Sequence, residues 1–205
     1  MRLFVFARHA ESAANVAHVI SSDPARPAAL TRRGRLQARK LGAQLANLEI
    51  DVAFCTRFLR TRQTADLALR GRGIPVLVEP RLDEVQAGIF DGAPIQAYWT
   101  WKEQHDPSER FPHGESLDEA VGRYADALRR LLARTEAVTL IVAHELGLRY
   151  IATAAAGTAS AALTQTSVAN AVPYLFDEPS VRRALDCLDA LTPSTPRRLS
   201  RAEAA

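Results

Sequence analysis

Short apolar runs alternate with helical patterns along most of the chain. Four runs are continuously apolar and rich in Val, Ile and Phe, which is typical of strands buried on both faces of a parallel sheet. These runs cover residues 3–7, 52–55, 74–78 and 139–143. Because helical patterns separate them, the sequence predicts an α/β fold, a three-layer α/β/α sandwich with a mostly parallel central sheet and right-handed crossovers.

Four helices are predicted between and after these runs. The first begins at Thr31, whose hydroxyl suits an N-cap, and carries a buried stripe of leucines, Leu36, Leu41, Leu45 and Leu48. The second covers about residues 59–69, and the fourth follows His144. The third begins at Ser116, which forms a capping box with Glu119 and precedes an apolar face, Val121, Tyr124, Leu128, Leu131 and Leu132.

The remaining segments complete a single predicted domain over residues 1–191. Residues 171–176 favour another strand, whereas residues 181–191 fit either a helix or a strand. Residues 90–115 form an irregular segment that holds both tryptophans, and we expect them to build a small helical lid over one edge of the sheet. The tail, 192–205, is rich in Pro, Ser and Arg and is predicted to be disordered.

Composition narrows the functional classes. The chain has 205 residues, 47% hydrophobic and 24% charged, which is typical of a soluble globular protein with a sizeable core. No apolar stretch is long enough to suggest a membrane partner, and we expect no nucleic-acid partner at a net charge of +3. Lys40 and Lys102 are the two lysines among 26 basic residues, so Arg, which suits planar recognition of oxyanions, supplies nearly all positive charge.

The two cysteines, Cys55 and Cys187, are too few for a disulfide scaffold and too far apart for a metal pair. A reduced cytoplasmic protein without a metal or other cofactor is therefore expected. The sequence leaves the oligomeric state open, a homodimer included.

Polar side chains follow the carboxyl end of each predicted strand. The first strand ends at Arg8 and His9, and the second leads to Arg60 on the first turn of the next helix. The third leads to Glu84, and the fourth ends at His144. Because the carboxyl ends of parallel strands line the edge where ligands bind, we expect these five side chains to converge.

This set of side chains suits phosphate chemistry. Two guanidinium groups can clamp a phosphate through charge-assisted hydrogen bonds, and a neutral imidazole is a competent nucleophile near pH 7. A carboxylic acid with a raised pKa can protonate the leaving oxygen and then activate water. Taken singly, each residue is more often structural. Arg8 could pair with a surface carboxylate, and His144 could be a hydrogen-bonded histidine at the start of a helix. The coincidence of four strand ends favours a phosphoryl-transfer site.

Six blocks of residues, in order along the chain, resemble the motifs of the histidine phosphatase superfamily. The first, RHAES with Asn15, is similar to its RHG signature. The block LTRRG with Gln37-Ala38 resembles its LTxxGxxQA motif, and TRFLRTRQTA resembles its SxLxRAxQTA motif. RLDE resembles the LxE segment, PHGES resembles PxGES, and VAH resembles the segment that carries the second histidine. These blocks extend from residue 3 to about residue 150.

The resemblance implies a phosphohistidine mechanism. His9 would accept the phosphoryl group, Arg8, Arg60 and His144 would hold it with Asn15 nearby, and Glu84 would act as acid and then base. His113, beside the Gly114-Glu115 block, is also expected to contact the substrate.

Two positions depart from the family pattern. Ala10 replaces the usual glycine, and we expect little loss if its φ is negative. Glu145-Leu146 stands where Gly-Gly is common. If Glu145 faced the pocket it would repel phosphate and raise the pKa of His144, whereas at the start of a helix it would be harmless. We expect the second arrangement.

A phosphatase acting on a small organic phosphomonoester is the favoured function. The alternative enzyme is a cofactor-dependent phosphoglycerate mutase, which usually has a longer insertion and more basic lid groups, whereas residues 90–115 contain only Lys102 and Arg110 as cations. The aromatic lid could admit a partly apolar substrate. An alternative of another class is a protein that binds a phosphorylated ligand without turning it over.

Overall fold

The structure is a computed structural model that describes residues 2–157 and 168–192. These residues form one five-stranded sheet, whose strands are β1 (Leu3–Arg8), β2 (Val52–Cys55), β3 (Val76–Val78), β4 (Val138–Ala143) and β5 (Pro173–Asp177). The strands lie in the order β3-β2-β4-β1-β5. Strands β1 to β4 are parallel to one another, and β5 is antiparallel to β1, which confirms a mostly parallel sheet.

Seven α-helices surround this sheet within the described ranges. They are α1 (Ala13–Ala17), α2 (Arg32–Gln44), α3 (Leu59–Ala68), α4 (Ile95–Gln104), α5 (Leu117–Leu132), α6 (Glu145–Ala155) and α7 (Glu178–Leu191). The ambiguous segment 181–191 is therefore helical. Predicted helix starts at Thr31 and Ser116 are confirmed, since the Thr31 hydroxyl accepts a hydrogen bond from the Gly34 amide and Ser116 forms a reciprocal capping box with Glu119.

Alternate residues of the central strands pack into two separate cores. On β1, Phe4 and Phe6 pack with the buried faces of α5, α6 and α7, whereas Val5 and Ala7 pack with α2 and α3. Successive side chains of a strand point to opposite faces, so continuous burial requires a helical layer on each side. The predicted three-layer sandwich is thus confirmed.

The predicted leucine stripe of α2 is wrong at two positions. Leu36 is 58% exposed because it stands two residues from both Gly34 and Ala38, which are buried, and a helix turns about 100° per residue. Leu48 lies beyond the end of α2 and is half-buried.

Strand β3 differs from its predicted form as well. It begins at Val76 and lies at the edge of the sheet, with Leu77 41% and Val78 45% exposed, so the prediction of a fully buried strand was wrong. Pro75 precedes it and has no N–H to donate, although its carbonyl accepts from the Ala53 amide. Similarly, the strand predicted over 171–176 begins at Pro173.

The segment 90–115 contains helix α4, which packs on the domain through aromatic side chains. Tyr98 stacks on Phe111 with ring centroids 5.1 Å apart, and Trp101 contacts Phe111 at 4.3 Å. We call residues 90–115 the lid segment. Of the predicted disordered tail, residues 193–205 lie outside the described residues. No described helix combines the length and apolar character that a membrane crossing requires.

Candidate active site

A cavity of about 120 Å³ lies beyond the carboxyl ends of β1 and β4. Its wall includes Arg8, His9, Arg60 and Glu84, four of the five side chains that the strand ends were expected to bring together. The fifth, His144, contacts Arg60, with its Nδ1 atom 3.2 Å from Arg60 Nη2.

His9 is buried and its ring is oriented by the backbone. Its Nδ1 atom lies 2.8 Å from the carbonyl oxygen of Ala10. A carbonyl only accepts hydrogen bonds, so Nδ1 carries the proton and Nε2 presents a lone pair. Burial and the Arg60 guanidinium lower the pKa of His9 well below its ordinary value of 6.5. His9 is therefore a neutral imidazole at pH 7, with Nε2 as its nucleophilic atom.

Arg60 is the buried cation at the centre of the site. Its Nε donates to His9 Nε2 at 3.1 Å, and its terminal nitrogens donate to the hydroxyl and the carbonyl oxygen of Ser21 at 3.0 and 2.9 Å. The guanidinium also lies over the Phe58 ring at 4.3 Å. Burial lowers the pKa of Arg60 to about 10, so it remains cationic at neutral pH.

His144 caps the start of α6 and supports Arg60 from behind. Its Nδ1 accepts from Arg60 Nη2 at 3.2 Å, which leaves Nε2 protonated to donate to the Thr56 hydroxyl at 2.9 Å. Its ring centroid lies 5.4 Å from that of His9. Burial and the charge of Arg60 lower the pKa of His144. The side chain is 1% exposed and does not line the cavity wall.

Glu84 faces the cavity from the loop after β3. One carboxyl oxygen accepts from the Val85 amide at 3.1 Å. Burial raises the pKa of Glu84 above its ordinary value of 4.5, although Arg60 opposes this shift. A carboxyl group that keeps its proton to higher pH beside a nucleophile is suited to general acid catalysis.

Arg8 binds Glu145, which corrects an expectation. Arg8 Nη1 lies 2.9 Å from Glu145 Oε2, and Glu145 lines the cavity as well as beginning α6. The expectation that Glu145 only opens the helix was wrong. Arg8 pairs with Ala143 across the sheet, which brings residue 145 within reach of its side chain. The pKa of His144 is lowered, not raised, because burial and Arg60 dominate.

Two expected substrate contacts have different positions. Asn15 lines the cavity, and its Oδ1 accepts from the Ser12 amide in a capping box, so its amide NH₂ remains available to donate. His113 is exposed and lines a second, shallower depression with Arg57 and Asp91. His113 does not line the cavity of His9, so its contact with the substrate stays a prediction.

Comparison with known proteins decides the family. The model of the histidine phosphatase superfamily (branch 1) matches residues 4–185. The chain belongs to the histidine phosphatase superfamily.

Individual relatives support this assignment. The "Probable phosphoglycerate mutase GpmB" of Erwinia tasmaniensis is 31% identical over 149 residues, covering 69% of this chain and 68% of the relative. An adenosylcobalamin/alpha-ribazole phosphatase of Salmonella typhimurium is 37% identical over 91 residues, 44% of each chain. The crystal structure of the alpha-ribazole phosphatase of Shigella flexneri superposes with a TM-score of 0.76 at 25% identity, covering 85% of this chain and 90% of that one.

Several superfamily motif residues hold the loop after β1 rather than contact the cavity. The Gln37 side chain accepts from the Glu11 amide at 2.8 Å, and the Thr64 hydroxyl accepts from the Ala10 amide at 3.0 Å. At Gly34, a Cβ atom would lie 2.0 Å from the Glu11 carbonyl oxygen, so only glycine fits. Ala10 is buried and its φ is not positive. Its backbone therefore meets the condition under which alanine can replace the usual glycine.

Glu115 of the PHGES block and Arg123 together fix the loop of Glu84. Arg123 donates to the carbonyl oxygens of Arg81 and Asp83, and it forms an ion pair with Glu115 at 2.6 Å. Glu115 in turn accepts from the Gln86 amide at 3.0 Å. Glu84 is thereby held between two anchored backbone segments.

Sequence reasoning missed several residues that shape the site. Ser21 fixes the Arg60 guanidinium, and Asn170 donates to the His9 carbonyl oxygen at 2.7 Å. No motif or spacing in the sequence points to Ser21 or Asn170, because each lies in a loop. Among the described residues, no cluster of three or more His, Cys, Asp or Glu side chains has the arrangement of a metal site.

Proposed function

We propose that this protein is a phosphatase that hydrolyses a small organic phosphomonoester through a phosphohistidine at His9. One observation carries the proposal: the ring of His9 is fixed as the Nδ1–H tautomer by Ala10, and its unprotonated Nε2, which accepts from Arg60, lies at a cavity lined by two arginines and Glu84. A neutral nucleophile, an acid and paired cations are the groups that phosphoryl transfer needs.

In the first step, His9 Nε2 attacks phosphorus in line with the leaving oxygen. The N–P bond forms while the P–O bond to the alcohol breaks, and Glu84 gives its proton to the leaving oxygen. Arg8 and Arg60 neutralise the charge on the phosphoryl oxygens, and Asn15 adds a donor. His144 keeps Arg60 in place.

In the second step, Glu84 acts as a base. It removes a proton from a water molecule, whose oxygen attacks phosphorus as the N–P bond breaks. His9 returns to its neutral state, Glu84 is again protonated and inorganic phosphate leaves. Nδ1 of His9 keeps its proton throughout because Ala10 continues to accept from it.

The proposed reaction needs no divalent metal. The two guanidinium groups beside His9 supply positive charge at the phosphoryl oxygens, which is the electrostatic role that a metal ion has in other phosphatases. We also propose a cytoplasmic location, supported by the two free cysteines, Cys55 and Cys187.

The apolar part of the cavity wall favours an alcohol with apolar character. It includes the aliphatic and aromatic side chains of Val19, Ile20, Ile95, Tyr98, Trp99 and Leu146. Tyr98 and Trp99 belong to the lid segment, so this segment would select the alcohol by contact with its apolar surface.

Hydrolysis of p-nitrophenyl phosphate tests the proposed activity. Release of phosphate by the purified protein, with and without EDTA, should occur and should be lost in His9→Ala. A panel of phosphorylated metabolites, from polar sugar phosphates to phosphates of aromatic alcohols, should show higher kcat/KM for the apolar members. Phosphate binding without turnover of any substrate would instead identify a non-catalytic binding protein.

A phosphoglycerate mutase is the second candidate, because the Erwinia tasmaniensis relative carries that name. A mutase must retain a bisphosphate, whereas the lid segment contributes an apolar wall here. Incubation of the protein with 3-phosphoglycerate and 2,3-bisphosphoglycerate distinguishes the two functions. Formation of 2-phosphoglycerate would support the mutase, and release of phosphate alone supports the phosphatase.

A further inference from the structure

The ion pair of Arg8 and Glu145 occupies a position that the proposed reaction needs. Arg8 Nη1 forms an ion pair with Glu145 Oε2 at 2.9 Å and donates a hydrogen bond to the Val168 carbonyl oxygen at 2.8 Å. Its Nε is buried without an acceptor among residues 2–157 and 168–192. The Arg8 guanidinium is thus bound by a carboxylate of the protein itself, with part of its donor capacity unused.

Glu145 can leave Arg8 without becoming a buried, unpaired charge. Its side chain is 33% exposed, and it stands at the first position of the 11-residue helix α6, where the helix dipole favours a negative charge. In contrast, the Arg8 side chain is 16% exposed and emerges from a central strand. The carboxylate is therefore the partner free to move.

A bound phosphoryl group and the Glu145 carboxylate would compete for Arg8. Both are anions attracted to the same guanidinium, and like charges so close repel each other strongly in a poorly solvated cavity. The charged groups that line this cavity are Arg8, Arg60, Arg149, Glu84 and Glu145. Since Glu84 is the proposed proton donor, Glu145 is the carboxylate that opposes phosphate binding.

We propose that Glu145 is an internal competitor for phosphate, which binds Arg8 in the free enzyme and is displaced by the phosphoryl group of the substrate. This inference rests on the proposed role of Arg8 as a phosphate ligand. Each binding event must break the Arg8–Glu145 pair, and the pair re-forms when inorganic phosphate leaves. Glu145 thereby weakens the affinity for substrate and for product phosphate by a similar factor.

Calorimetric titration with inorganic phosphate tests the competition without requiring turnover. Glu145→Gln keeps the shape of the side chain but removes its charge, and we expect its Kd for phosphate to fall about tenfold, the effect of removing one negative charge that opposes the phosphate. The matched control is Glu178→Gln, which removes a glutamate at the first position of α7 that pairs with Arg182 outside the cavity. The control should keep the wild-type Kd.

Kinetics separate competition from a merely structural role. In Glu145→Gln, KM for p-nitrophenyl phosphate and the inhibition constant of phosphate should fall by about the same factor as the Kd. Glu145→Ala should lower the same KM and inhibition constant. If one of the two variants fails to fold, the other still tests the competition.

Other outcomes overturn the inference. An unchanged or weaker affinity for phosphate in both variants would show that Glu145 aligns Arg8 rather than competes with the ligand. Loss of turnover with unchanged phosphate affinity would assign Glu145 to proton transfer. If the wild-type protein binds phosphate but hydrolyses nothing, a tighter Kd in Glu145→Gln still supports the competition while the proposed phosphatase function fails.

Discussion

The Nδ1 atom of His9 donates a hydrogen bond to the carbonyl oxygen of Ala10 across 2.8 Å, and this contact decides which nitrogen of the ring can react. The Ala10 amide is itself held by Thr64, and Asn170 holds the His9 carbonyl. The nucleophile is therefore fixed through its own backbone before any substrate binds, which lowers the cost of reaching a reactive geometry.

Replacing His9 tests its role as nucleophile. We expect His9→Ala to lower kcat by at least about a thousandfold, because no other imidazole lines the cavity described here. His18→Asn is the control, since His18 is exposed and adopts a left-handed conformation that Asn tolerates. Substantial activity in His9→Ala would contradict the account.

Glu84 should matter most for substrates with poor leaving groups. Glu84→Gln removes the proton donor, so we expect kcat/KM to fall about a hundredfold or more for an alkyl phosphate and much less for p-nitrophenyl phosphate, whose leaving group needs no proton. The comparison variant is Glu103→Gln, at an exposed position of the lid segment. Equal losses for both substrates in Glu84→Gln would argue against general acid catalysis.

The pH profile should be bell-shaped for an alkyl phosphate. The reaction requires neutral His9, whose pKa lies below 6.5, and protonated Glu84, whose pKa lies above 4.5. Activity therefore rises as His9 loses its proton and falls as Glu84 loses its own. Glu84→Gln should abolish the alkaline fall. A rate that keeps rising into the alkaline range would exclude this assignment.

The pairing of Glu115 with Arg123 should couple stability to activity. Removing either partner leaves the other charge poorly solvated, so we expect Glu115→Ala and Arg123→Ala each to lower the free energy of unfolding by about 3 kcal/mol. Both should also lower kcat, because the loop of Glu84 loses its anchor. A double-mutant cycle measured by denaturant unfolding isolates the pair. A coupling energy near zero would show that the two residues act independently.

Two glycines give opposite predictions for the same substitution. Gly34→Ala would place a Cβ atom against the Glu11 carbonyl oxygen, so it should destabilise the fold by about 2 kcal/mol and slow catalysis by shifting the loop of His9. Gly122→Ala, inside α5, meets its nearest neighbour at 3.5 Å and should stabilise the protein by about 1 kcal/mol. Thermal unfolding of the two variants checks the contrast.

Much of this architecture could be predicted because its signals are local. Continuous apolar runs indicated doubly buried strands, and the residues after these runs identified Arg8, His9, Arg60 and Glu84 at one edge. The motif blocks also contain the anchors Gln37, Thr64 and Glu115, although their spacing did not show what these residues hold, and Arg123 lies outside the blocks.

The errors arose where position depends on distant parts of the chain. The orientation of Glu145 follows from the register of β1 against β4, which no local pattern encodes. Likewise, the edge position of β3 depends on the order of strands, so Leu77 looked buried in the sequence and is exposed in the fold. His144 contacts Arg60 in the structure, and its contact with the phosphate stays a prediction.

The most direct test of the central claim is to trap the phosphorylated enzyme. In Glu84→Gln, p-nitrophenyl phosphate should still phosphorylate His9, but the base that activates water is missing. We predict a burst of one nitrophenolate per active site and, after an alkaline quench that preserves phosphohistidine, a phosphoryl group on the peptide containing His9. Turnover by wild-type protein with no burst in Glu84→Gln, or with the phosphoryl group on another residue, would contradict the account.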